Sequence, residues 1–229
     1  MTDHTTSERA VECWCDAGGE CPPGGCLKRY RTLVVDPPWM QAGGPGFDGR
    51  AHDTRVKRNV GTRTNSPTRP LPYPTMTVEE IAALPVADLA ADDAHLYLWL
   101  TNRYVAAGYD IVHAWDFRPV SLLTWCKPPM GLGLGGAFVQ TTEFVLFARR
   151  GADVRLSRCD TTWWRWSRGY DSRGKPLHSA KPEAFLDMVE QISPGPRVEL
   201  FARRQRLGWD TWAMRPSTTS GAQERCRCD

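Results

Sequence analysis

The stretch RTLVVDPPW, residues 31–39, decides the reading of this chain. Thr32 to Val35 are apolar or β-branched, and a short run of that kind bounded by prolines predicts a buried strand over 31–36. Pro37 and Pro38 stop it, since neither can donate to a strand ladder. A carboxylate, Asp36, therefore falls where a buried strand gives way to a loop. In open α/β sheets that is where ligands bind.

Strand and helix patterns alternate from there on. Residues 40–75 hold no sustained period and read as one long loop. Thr77 with Glu80 forms a capping box that opens a helix over about 77–84, followed by a break at Pro85 and a second turn to Ala90. Then come strand 94–100, helix 102–114, strand 119–126, a glycine loop at 128–137 and strand 142–148. Residues 149–176 are irregular. Pro182 starts a helix that runs to Ile192, strand 197–202 follows, and a short strand contains Trp209. This alternation predicts a mostly parallel α/β sheet covered on both faces. Gly131 to Gly136 spells a dinucleotide-type G-x-G-x-x-G, but that fingerprint needs a helix directly after it, and a strand pattern follows.

The chain's 229 residues fit one sizeable domain with short tails. Mean hydropathy is −0.45, and no apolar run approaches the roughly 18 residues of a membrane helix. The N-terminus lacks the charged-then-apolar order of a signal peptide. These features exclude a wholly disordered chain and predict a soluble, cytoplasmic protein with no membrane partner. The net charge of +3 and pI near 8.4 are only mildly basic. The charge is segregated, however. Residues 50–70 hold six basic residues against one acidic, and residues 149–175 hold eight against three. Basic residues interleaved with Trp163, Trp164 and Trp166 suit a nucleic-acid backbone and unstacked bases. Arg55, Lys57, Arg58 and Arg63 in the first stretch, with Arg165 and Arg168 in the second, are the candidate contacts; solvated loops are the alternative. The ten Trp and the preference for Arg over Lys point the same way, although core packing and a GC-rich genome account for them equally.

Asp-Pro-Pro-Trp has a specific chemical reading. An amine on adenine is a poor nucleophile because its lone pair is delocalised into the ring. Two fixed acceptors gripping the two amine hydrogens aim that lone pair outward, and Asp36 with the Pro37 carbonyl can supply them. The Pro37-Pro38 pair keeps the carbonyl rigid, and such fixed dipoles need no reorganisation during reaction. Trp39 then offers a face for a stacked base. A strand-ending turn with a core Trp is the competing reading of the same four residues.

From about Tyr30 to Trp212 the chain resembles the MT-A70-like family of S-adenosylmethionine-dependent adenine N6-methyltransferases. The blocks that carry the resemblance are RTLVVDPPW (31–39), YPTMTVEEIAALP (73–85), LYLWLTN (96–102), AWDF (114–117), TWCKP (124–128), TEFVLFARRG (142–151), HSAKP (178–182) and VELFARRQRLGWDTW (198–212). The resemblance implies a Rossmann-like class I methyltransferase sheet in permuted order, with the catalytic tetrapeptide before the cofactor-binding strand. It implies that Asp36, Pro37, Pro38 and Trp39 are catalytic and that Asp36 also lies near the cofactor's amino group. It further implies that Lys181 meets the cofactor carboxylate and that Glu199 and Arg203 lie near its ribose. Asp116 departs from the family's common W-G-F. The implied domain spans 30–214, between an N-terminal extension (1–29) and a tail (215–229). DNA is the expected polymer, with RNA as the alternative; cytosine N4 is a chemically close target. A non-catalytic binding subunit is a rival reading, and a protein partner or homodimer is an expected companion.

Cysteines cluster at the ends. Cys13, Cys15, Cys21 and Cys26 could hold one structural zinc, although their spacing is not the paired C-x2-C pattern. A module organised by such a zinc is a further rival.

Overall fold

The computed structural model describes residues 28–40, 74–127, 138, 140–167, 180–202 and 204–212. The elements are β1 (Tyr30–Val35), α1 (Val78–Ala82), α2 (Val86–Leu89), β2 (Ala90–Leu100), α3 (Val105–Ala114), β3 (Arg118–Cys126), β4 (Thr142–Arg150), β5 (Trp163–Trp164), α4 (Glu183–Ile192), β6 (Arg197–Leu200) and β7 (Trp209–Trp212). Seven strands form one sheet in the order β5-β3-β4-β2-β1-β6-β7. β1 runs parallel to β2 and β6, β6 to β7, and β3 to β5. β4 alone is reversed, antiparallel to both β2 and β3. The expected mostly parallel sheet is present, with β4 as its exception and β5 as a strand that the irregular 149–176 stretch did not announce.

The period of two along each strand sorts the core into two halves. Leu33 and Val35 of β1, Leu96 and Leu98 of β2, and Leu146 of β4 pack with Ile81, Ile111 and Val112 on one face. Val34, Tyr97, Trp99 and Val145 pack with Phe185 and Val189 of α4 on the other. Helices α1 to α3 therefore cover one face and α4 the opposite one. Connections on the β2 side of β1 leave over one face, and α4, which leads into β6, lies over the other. The crevice at the carboxyl ends of β1 and β6 is thus a switch point, the usual place for a ligand.

Local rules hold where they were specific. Thr77 Oγ accepts from the Glu80 amide at 3.1 Å, and the Glu80 carboxylate accepts from the Thr77 amide at 2.7 Å. Pro182 is the N-cap of α4 at φ −65°. Asp116 sits at φ 60°, the left-handed region, a conformation that suits the glycine the resemblance leads one to expect there. Aspartate tolerates that region better than most residues, and this one also pairs with Arg150 at 3.0 Å.

A buried polar trio lies under α4. His95, only 1 % exposed, bonds Ser193 Oγ through Nδ1 at 2.7 Å, and Tyr97 Oη shares the same hydroxyl at 2.8 Å. Burial holds the His95 pKa below its ordinary value of 6.5. The unfolded chain therefore takes up this proton first, so the stability is complete above pH 6.5 and is lost as pH falls below it. Denaturant unfolding of His95→Gln between pH 5 and 7 should show a shallower decline than wild type; parallel declines would contradict a neutral buried imidazole.

Candidate active site

The alternation that sorts the core also gathers the polar residues. Val34 faces α4, so Asp36, two residues on, emerges on that side. Glu199 of β6 pairs in register with Val34. Glu143 of β4 lies two residues before Val145 and opposite Trp125 of β3. Lys181 immediately precedes the N-cap of α4. One sheet face, at one end, thus carries Asp36, Glu143, Glu199 and Lys181.

Lys181 is the hub. Its Nζ lies 3.0 Å from Asp36 Oδ1 and 3.2 Å from Glu143 Oε2, and 5.0 Å above the centre of the Trp99 ring. Lys127 Nζ meets the other Glu143 oxygen at 2.6 Å and lies over the Trp125 ring. Burial opposes the Lys181 ammonium, but the two carboxylates outweigh it and raise its pKa above the ordinary lysine value. Burial likewise opposes ionised Glu143, yet Lys181 and Lys127 hold its pKa below the usual range. Arg204 and Arg206 favour ionised Glu199, but not enough. Burial first, and repulsion from Asp36 second, push its pKa up to about 7. Near neutrality Glu143 is thus ionised, while Glu199 lies close to its midpoint.

The Asp-Pro-Pro-Trp turn is tightly determined. The Pro37 carbonyl accepts from the Trp39 amide at 2.8 Å, and the Pro38 carbonyl from the Met76 amide at 3.0 Å. A carbonyl oxygen has two lone pairs, so Pro37 retains one acceptor site. Trp39 differs from expectation. It is 4 % exposed, it stacks on Tyr104 at 4.6 Å, and its indole N–H donates to the Trp99 carbonyl at 2.9 Å. Its ring is packing material that fixes the turn, and the open stacking face expected of it is absent. The same holds for most tryptophans. Trp99, Trp115, Trp125 and Trp209 are also buried, and among the described residues Trp163 alone is more than half exposed.

The second basic stretch is also less free than its count suggests. Arg149 and Arg155 pair with Asp153, and Arg150 with Asp116. Arg165 remains exposed just beyond β5. Arg55, Lys57, Arg58, Arg63, Arg168 and Arg203 lie outside the described residues. So do Cys13, Cys15, Cys21 and Cys26; among the described residues no cluster is arranged to hold a metal. Glu143 and Lys127 were not singled out from sequence. Glu143 was legible as the one acid in TEFVLFA, a charge that an otherwise apolar strand keeps only with a partner.

The donor set fits S-adenosylmethionine. A buried ammonium suits its carboxylate, and Asp36 with Glu199 offers acceptors for an amine and for ribose hydroxyls. An α/β sheet with these groups at its switch point defines a Rossmann-like methyltransferase. The chain belongs to the MT-A70 family, whose profile matches residues 30–215, and is by class an S-adenosylmethionine-dependent adenine-N6 methyltransferase. It is 29 % identical over 194 residues to the type II methyltransferase M.MunI of a Mycoplasma species, covering 82 % of this chain and 78 % of that one. It is 32 % identical over 191 residues to a Drosophila melanogaster N(6)-adenosine-methyltransferase MT-A70-like protein, covering 79 % of this chain and 26 % of that one. Against the human N(6)-adenosine-methyltransferase catalytic subunit METTL3 it is 28 % identical over 182 residues, covering 77 % of this chain and 26 % of that one. The chain thus spans about a quarter of both animal relatives.

Glu143→Gln keeps the volume and removes the charge that Lys127 and Lys181 share. Breaking a buried pair in this way should lower the unfolding free energy by about 3 kcal/mol. Chemical denaturation measures it, and an unmoved midpoint would show that the cluster contributes nothing to the fold.

Proposed function

We propose that this chain transfers the methyl group of S-adenosylmethionine directly to the N6 amine of adenine in DNA. The observation that carries the reading is the Asp36–Pro37 turn at the switch point, with a carboxylate and a rigid carbonyl side by side. Asp36 accepts one amine hydrogen and the spare lone pair of Pro37 the other, which aims the nitrogen lone pair. Pro38 and Trp39 hold that turn through Met76, Tyr104 and the Trp99 carbonyl. S-adenosylmethionine, when bound, supplies an electrophilic methyl group. Lys181 is assigned to its carboxylate, and Glu199 and Arg203 to its ribose. In the free protein Lys181 pairs with Asp36 Oδ1 at 3.0 Å; engaging a cofactor carboxylate draws the ammonium away from Asp36.

The preference for DNA rests on the Mycoplasma relative, a type II methyltransferase matched over most of both chains. The adenosine methyltransferases match over a smaller share of their length and favour RNA as the second reading. Arg55, Lys57, Arg58, Arg63, Arg165 and Arg168 are assigned to the phosphate backbone. A base in a duplex has to be flipped out to reach Asp36.

The test is incubation with isotopically labelled cofactor and DNA or RNA, followed by nucleoside mass analysis. The expected result is labelled N6-methyladenine in DNA from wild type and none from Asp36→Ala. Label confined to RNA would reverse the polymer, and no transfer to either would overturn the reading. Trp163 and Arg165, two residues apart, are both exposed at β5 and just beyond it. The double variant Trp163→Ala with Arg165→Gln should weaken DNA binding at least about fivefold, with cofactor affinity unchanged. Equal binding in a gel-shift or anisotropy titration would remove β5 from the interface.

A further inference from the structure

β6 and β7 are parallel neighbours, yet only the residues 201–208 connect them. Parallel strands ordinarily need a crossover of a dozen residues or more, usually a helix. This connection contains no helix among its described residues. It opens at Phe201 with φ 65°, a backbone region that bulky side chains rarely adopt, and it closes at Gly208 with φ 79°. Such a segment keeps one shape only if something outside it holds it.

Arg206 does so. Its Nε donates to Glu190 Oε1 at 2.7 Å, its Nη2 to Asp187 Oδ1 at 2.5 Å, and its Nη1 to Glu183 Oε2 at 3.4 Å. Residues 183, 187 and 190 are spaced by four and three, so they form one stripe along α4. A single guanidinium fork thus spans two turns of the helix. Glu190 Oε1 also accepts from the Trp209 indole N–H at 2.7 Å, which fixes the first residue of β7 to the same point. Arg204 adds an ion pair to Glu183. An isolated exposed ion pair contributes little; a planar fork meeting three carboxylates, one of them shared with a tryptophan, specifies geometry.

The position of this latch matters. Glu183 stands two residues after Lys181, and the crossover begins two residues after Glu199. Arg206 therefore ties the segment that carries the ammonium to the segment that carries the raised-pKa carboxylate. We propose that Arg206 is a positioning residue for the cofactor pocket, latching the β6–β7 crossover onto α4 and so setting the separation between Lys181 and Glu199. This rests on the cofactor roles proposed above for those two residues.

The experiment measures S-adenosylhomocysteine binding to the full chain by calorimetry, alongside steady-state kinetics. Arg206→Gln is expected to weaken binding about tenfold, as small displacements of positioning groups do. It should raise the cofactor KM similarly, while kcat at saturating cofactor and the KM for nucleic acid stay within about twofold. A general loss of structure would depress all of these together. Arg206→Lys should recover only part of the loss, because one ammonium cannot fork to three carboxylates. If Arg206→Gln fails to fold, Glu183→Gln serves, since that side chain is 59 % exposed and removes only the outer contacts. It should weaken binding about threefold. Unchanged affinity in folded Arg206→Gln, or in Glu183→Gln, overturns the latch. A wild type that binds no S-adenosylhomocysteine overturns the cofactor reading itself, and the latch with it.

Discussion

The Lys181 ammonium is the point on which three separate parts of the chain converge. It is held by Asp36 at the end of β1 and by Glu143 at the start of β4, and it sits over Trp99 of β2. An ammonium taken largely out of water is tolerated only when its charge is met, and here two carboxylates and a ring face meet it. Glu143 is in turn shared with Lys127, so the charges alternate across the end of the sheet. The tryptophans below supply a rigid, low-dielectric floor on which these charges act strongly on one another.

That arrangement follows from strand parity more than from any local motif. Asp36, Trp99, Glu143 and Glu199 come from four strands. Val34, Tyr97 and Val145, each two residues from Asp36, Trp99 and Glu143, pack against α4, and Glu199 pairs in register with Val34. A one-residue slip of any strand would send its member of the set to the opposite face. The mixed sheet therefore does two things at once. Its apolar alternation pays the cost of folding, and its register delivers the charged residues to one place.

The frame of the fold is legible in the sequence. RTLVV followed by two prolines, the Thr77–Glu80 capping box and Pro182 are signals with a local physical cause, and each stands where that cause puts it. Lys181 beside Asp36 was legible only through resemblance, since 145 residues of chain separate them and no local pattern links the two. Composition misled in an instructive way. Tryptophan and arginine counts suggested open recognition surfaces, whereas Trp39, Trp99 and Trp125 are buried beneath the site and Arg149, Arg150 and Arg155 are engaged by aspartates. A count cannot tell a packed ring from an exposed one; only the partner does. Glu143 stood out only as a lone acid in an apolar strand; its pairing with Lys127 and Lys181 joins segments that no local pattern links.

In the function proposed, the Asp36–Lys181–Glu143 cluster faces the cofactor. Heteronuclear NMR of the lysine side-chain amines tests it most directly, since the chain has only five lysines. Titration with S-adenosylhomocysteine should move the Lys181 resonance in step with saturation, with a smaller change at Lys127. A Lys181 resonance that stays in place while the product demonstrably binds elsewhere in the protein would contradict the claim.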